Sequence, residues 1–157
     1  MKLILIVVGR TVEEYLQTGI DDYVGRIGHF APFGIEVIPE LKNTRNIDSK
    51  TQKQQEGALI LKQFQPGDYI VLLDDKGTQF TSPGMAQWLD NRMAAGYKRI
   101  VFVVGGPYGF SQEVYAAAHA KLSLSNMTFS HQMVRLIFVE QLYRAVTILR
   151  GLPYHHE

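Results

Sequence analysis

The stretch LSLSNMTFSHQMVRLIFVEQLYR, residues 122–144, decides how the chain is read. A short apolar segment, Leu122-Ser123-Leu124, passes into the loop Ser125-Asn126-Met127-Thr128-Phe129-Ser130-His131, and a long helix follows. The loop is too polar for a core and, at Met127 and Phe129, too apolar for a plain linker, which makes it a candidate ligand contact. The helix is expected over residues 132–150, stopped by Gly151 and Pro153. Met133, Leu136, Ile137 and Ile148 lie on one side, and Val134, Phe138, Leu142, Ala145 and Leu149 on others. Apolar residues on so many sides imply burial nearly all round, in a core and against a second copy of the chain. Glu140 and Arg144 stand four apart and are spaced to pair.

Upstream, strands alternate with helices. Residues 2–8, 34–39, 69–73 and 99–104 are short, rich in Val, Ile and Leu, and hardly alternate, as strands buried on both faces do. Between the first two, Val12, Tyr15, Leu16, Ile20, Tyr23, Val24 and Ile27 form a helical stripe that Gly25 and Gly28 weaken and end. Residues 41–53 lack an apolar period and read as a loop leading into a helix, capped by Asp48 or Ser49 and stopped at Gln65-Pro66-Gly67. Asp75-Lys76-Gly77 is a turn signal. Ser82 as cap and Pro83 as first helical residue begin another helix, with Met85, Trp88, Leu89 and Met93 inward and Gly96 beyond its end. Ser111 caps a helix expected to reach His119, and residues 122–124 make a fifth strand. The fold class is α/β, a mostly parallel sheet with helices on both faces, in one domain over residues 1–157.

Composition narrows the function. Apolar residues make up 46% and charged residues 20%, as in a folded globular protein. With no cysteine there is no disulfide framework, thiolate chemistry or Cys-ligated zinc, which fits a cytoplasmic protein. No apolar run reaches membrane-spanning length, so no membrane partner is expected. Residues 1–80 carry a formal charge of −2 and residues 81–157 one of +3, with four of the five histidines in the second part. A basic half can meet an anion such as RNA, although an asymmetry this small usually carries no message.

In open parallel sheets ligands gather at the carboxyl ends of strands. Leu73-Asp74-Asp75, Gly105-Gly106-Pro107 and residues 124–129 follow strands three, four and five, so they locate one candidate site. Gly105 and Gly106 let the backbone turn sharply and approach a ligand, and a plain tight turn explains them equally well. No dinucleotide or P-loop signature accompanies them. Asp74 and Asp75 suit a phospho-acceptor site poorly, because Arg10 stands where the early acidic cluster would be, and a turn-capping pair is the simpler reading. His155 and His156 lack a third ligand, so no metal is expected. The tail Tyr154-His155-His156-Glu157 carries rings able to stack on an unpaired base.

Taken together, these residues resemble the RlmH family of SPOUT methyltransferases, which methylate N3 of a pseudouridine in a hairpin loop of 23S ribosomal RNA. The resemblance runs from Met1-Lys2-Leu3 and Val8-Gly9 through the glycine pair. It is densest at Leu122-Ser123-Leu124-Ser125, Met127-Thr128-Phe129, His131-Gln132-Met133, Arg135, residues 140–145 and Pro153-Tyr154-His155. It implies a C-terminal trefoil knot, a homodimer and S-adenosylmethionine as methyl donor. The donor is then expected at Leu73, Gly105, Gly106, Leu124, Ser125, Asn126, Met127, Thr128 and Phe129. His131, Arg135, Tyr154 and His155 are the expected catalytic group. The base that removes the N3 proton stays open among His131, Tyr154, His155 and Glu140. Arg135 and Arg144 suit phosphate or carboxylate contacts. Pro107-Tyr108 follows the glycines where relatives vary. Ser130 stands where proline is common before His131, which frees a backbone angle that proline would fix. A net charge of +1 predicts weak phosphate binding, so the 23S rRNA is expected as substrate within the ribosome. Two other readings are an RNA- or ribosome-binding module without turnover and a response-regulator relative.

Overall fold

The computed structural model describes residues 1–156; Glu157, the last residue of the tail, lies outside the described residues. Five parallel strands form one sheet in the order β2-β1-β4-β3-β5. They are β1 (Lys2–Val8), β2 (Phe33–Ile38), β3 (Asp68–Gln79), β4 (Arg99–Val104) and β5 (Ala120–Ser123). Five α-helices connect or follow them: α1 (Glu14–Ile27), α2 (Ser49–Leu61), α3 (Ser82–Met93), α4 (Gln112–Ala117) and α5 (Met133–Leu149).

The alternation of the strands explains why both faces need cover. Leu3, Leu5, Val7, Val71, Ile100, Phe102 and Val104 point to one face, where they meet α1, α3 and α5. Ile4, Ile6, Val8, Ile70, Leu72, Val101 and Val103 point to the other, under α2 and α4. Helix α5 lies between α1 and α3, burying Phe138, Val139, Leu142, Ala145 and Val146. Each of the four larger side chains withdrawn from water contributes about 1.5–3 kcal/mol, and Ala145 less. No helix among the described residues is long and apolar enough to cross a membrane.

Several local expectations shift. Helix α1 begins at Glu14, and Val12 and Tyr15 are 63% and 65% exposed, so the buried stripe is Leu16, Ile20 and Ile27. The α3 cap is Thr81 rather than Ser82: its hydroxyl accepts from the Gly84 N–H at 3.0 Å. The turn expected at Asp75-Lys76-Gly77 is a bulge inside β3, because both Leu73 and Thr78 pair with Leu122. Gly77 must stay bare there, since a Cβ would sit 2.6 Å from the Lys121 carbonyl carbon. Helix α4 stops at Ala117, and the His119 ring turns back to accept the Ile70 N–H at 2.9 Å. The caps at Asp48 and Ser111 form as expected, accepting from the Thr51 N–H at 2.7 Å and the Val114 N–H at 3.3 Å.

Candidate active site

A cavity of about 360 Å³ opens at the carboxyl ends of β3, β4 and β5, within the range of small-ligand sites. Leu73 ends one strand, Gly105 and Gly106 turn the chain after the next, and Leu124, Ser125, Met127, Thr128 and Phe129 close the remaining wall. Strand pairing brings these segments together: Leu73 pairs with Val104 on one side and Leu122 on the other. His131 and Val134 extend the lining toward the start of α5. Of the residues expected at the donor, Asn126 alone points elsewhere. Its Oδ1 accepts from the Gln79 amide at 2.8 Å, which ties the loop to the end of β3.

The loop is shaped by its own hydroxyls. Ser123 donates to the Ser125 carbonyl at 2.9 Å, and Ser125 Oγ accepts the Met127 N–H at 3.0 Å. This leaves Met127 77% exposed at the mouth of the cavity. Ser130, in the place of a proline, caps the next turn by accepting the Met133 N–H at 3.0 Å. The freedom expected from the missing proline is thereby offset by a hydrogen bond.

Arg135 does not reach an anion. It is 1% exposed, and its guanidinium donates to the carbonyls of Val8 and Gly9 at 2.8 Å, to Thr11 Oγ1 at 3.1 Å and to the His131 carbonyl at 2.9 Å. The planar fork thus locks the start of α5 to the end of β1. Gln132 adds to the lock, accepting the Val12 N–H at 2.8 Å and donating to the Arg10 carbonyl at 3.1 Å. Where the sequence suggests a phosphate or carboxylate contact, the Arg135 guanidinium is instead engaged by four oxygens of its own chain. His131, held by its own carbonyl, keeps an imidazole whose pKa lies below the ordinary value of 6.5, through burial first and the Arg135 charge second. Both effects favour the neutral ring.

A second polar group forms away from this cavity, between α1, α5 and the tail. The Glu140 carboxylate accepts from Arg144, from the Tyr154 hydroxyl at 3.1 Å and from the Gln141 amide at 2.9 Å. Arg144 approaches His155 Nδ1 at 3.0 Å and stacks on the Tyr154 ring at 4.8 Å. Tyr23 shares a hydrogen bond of 3.0 Å with the Tyr154 hydroxyl. Burial and these two oxygen neighbours push the Tyr154 phenol well above its ordinary pKa. Neither Tyr154 nor His155 lines the cavity of its own chain. The expected pairing of Glu140 with Arg144 is present.

Asp74 is a capping acid. One carboxylate oxygen accepts the Lys76 N–H at 2.9 Å and the other accepts the Tyr115 hydroxyl. Sequence reasoning missed the Arg135 lock, Gln132 and Tyr115. Pairing across more than a hundred positions leaves no local signal, and Tyr115 reads only as one more aromatic in a short helix.

The family model described as a predicted SPOUT methyltransferase matches residues 1–155. The Bacteroides fragilis protein named "Ribosomal RNA large subunit methyltransferase H" is 59% identical over 157 residues, covering all of both chains. Proteins of the same name from Phocaeicola vulgatus and Flavobacterium johnsoniae are 59% and 50% identical, again over the full length of both chains. Matched end to end by that model and by these relatives, the chain belongs to the SPOUT methyltransferase family.

Proposed function

We propose that this chain transfers a methyl group from S-adenosylmethionine to N3 of a pseudouridine in a hairpin loop of 23S ribosomal RNA, acting on the assembled ribosome in the cytoplasm. The carrying observation is that Leu73, the Gly105-Gly106 turn and the 124–129 loop, distant in sequence, wall one cavity. Relatives sharing half or more of their residues bear the name of a large-subunit rRNA methyltransferase. The donor supplies a methyl group already activated on a sulfonium, so the protein's work is orientation and removal of a proton.

The residues fit such a ligand. Leu73, Leu122, Leu124 and Phe129 offer apolar surface to a purine ring, and the glycine turn and loop offer backbone groups to its polar edge. His131 takes the N3 proton in this reading, as a neutral imidazole beside the cavity. Tyr154 is ill suited to that step because burial and its neighbours disfavour ionisation, and Glu140 is held by three donors. Tyr154 and His155 instead hold the target base, at the cavity of a second copy. Homodimerisation over the α1–α5 face is what brings them there. A single domain with its C-terminal segment threaded as a trefoil knot completes the reading.

Labelled methyl transfer tests the choice of substrate. Intact ribosomes should accept label from S-adenosylmethionine, and isolated ribosomal RNA should accept far less, because a net charge of +1 supplies few phosphate contacts. Equal labelling of the two contradicts the ribosomal part of the reading.

A further inference from the structure

Glu56 is an acidic side chain buried on the α2 face, at 4% exposure, and nothing in the sequence gives it a role. Its Oε2 accepts from the Gln52 amide at 3.2 Å, while its Oε1 is buried with no hydrogen-bond partner. The carboxyl lies directly on the glycine turn: a Cβ added to Gly106 would stand 2.4 Å from Glu56 Oε1 and 2.9 Å from Oε2. Gly106 itself lines the cavity. Burial and the nearby Glu40 push the Glu56 pKa above its ordinary value, and Gln52 opposes them only in part. A buried polar atom without a partner is costly to the fold and calls for an explanation, such as a second state that uses it.

We infer that Glu56 is a positioning residue for the cofactor cavity, its free oxygen accepting a backbone N–H of the Gly105-Gly106 turn when the cavity is filled. Glu56 does not line the cavity, so it acts through the turn and not on the ligand. The absence of a Cβ at Gly106 is what lets carboxyl and turn meet. The inference rests on the reading of this cavity as the S-adenosylmethionine site.

Two variants decide it. Glu56→Met fills the same space with no oxygen and only a weakly accepting sulfur, and Glu56→Gln keeps one carbonyl oxygen for the turn. Titration calorimetry with S-adenosylmethionine should show about tenfold weaker binding for Glu56→Met and binding within about twofold of the parent for Glu56→Gln. The ligand-free Glu56→Met protein should unfold at the same temperature as the parent or higher, because the unpartnered oxygen is gone. In turnover assays Glu56→Met should raise the KM for the donor and leave kcat nearly unchanged. Parent-like affinity in Glu56→Met, or equal weakening in both variants, overturns the inference while leaving the cavity assignment intact. A parent protein that binds no S-adenosylmethionine overturns both.

Discussion

Arg135 stands where the sequence suggests an anion ligand, yet every contact of its guanidinium is an oxygen of the protein itself. Its loss would strand buried carbonyls of β1 and release the start of α5. Arg135→Ala should therefore lower unfolding stability by about 3 kcal/mol or more, read as a fall in the urea midpoint. His131 makes a separate prediction. Its folded pKa is lower than its unfolded value of 6.5, so the unfolded chain binds more protons just below that pH. The stabilising contribution is complete above the unfolded pKa and is lost as pH falls through 6.5 toward the lower folded value. His131→Asn should consequently lose less thermal stability than the parent on acidification from about pH 7 to about pH 5. If His131 accepts the N3 proton, the same variant should also reduce kcat by about 100-fold and remove the acidic limb of the pH–rate profile.

At the scale of elements, the bulge in β3 and the turn after β4 border the cavity. Gly77→Ala would press a Cβ into the backbone of β5 and displace Leu122 from its place beside Leu73. That variant should lose donor binding along with stability, measured by calorimetry and thermal unfolding together. Ser111→Ala removes the acceptor of the Val114 N–H and should cost about 1 kcal/mol, because the cap is buried against α2. The strands were legible in the sequence because burial on both faces leaves unbroken runs such as Ile100 to Val104. Strand ends in turn put Leu73, Gly105 and the 124–129 loop at one edge of the sheet. Helix α2 was harder: its run Lys50-Thr51-Gln52-Lys53-Gln54-Gln55-Glu56 is uniformly polar, so nothing marks Glu56 as inward. Thr81 and Ser82 are both good caps, and only the hydroxyl geometry chooses the first. The Asp75-Gly77 turn signal was real but local. Pairing of Thr78 with Leu122 turns it into a bulge, which periodicity does not foresee.

For the whole molecule, the separation of Tyr154 and His155 from their own cavity is the observation that asks for a partner. It predicts that two inactive variants complement each other. One carries a truncated tail, lacking residues 153–157, and the other a glycine turn displaced by Gly106→Val, whose side chain would meet the Glu56 carboxyl. Mixed dimers of the two should methylate ribosomes when neither homodimer does, and a lack of rescue would place the tail's action within its own chain. The proposed reaction adds a methyl group to N3 of a pseudouridine in the large-subunit RNA. Mass mapping of 23S ribosomal RNA tests it most directly, using ribosomes from cells lacking the enzyme, before and after incubation with this protein and S-adenosylmethionine. One new methyl on the hairpin-loop pseudouridine, dependent on both protein and donor, is the predicted result. An unchanged pseudouridine, with the protein folded and the donor bound, would contradict the account.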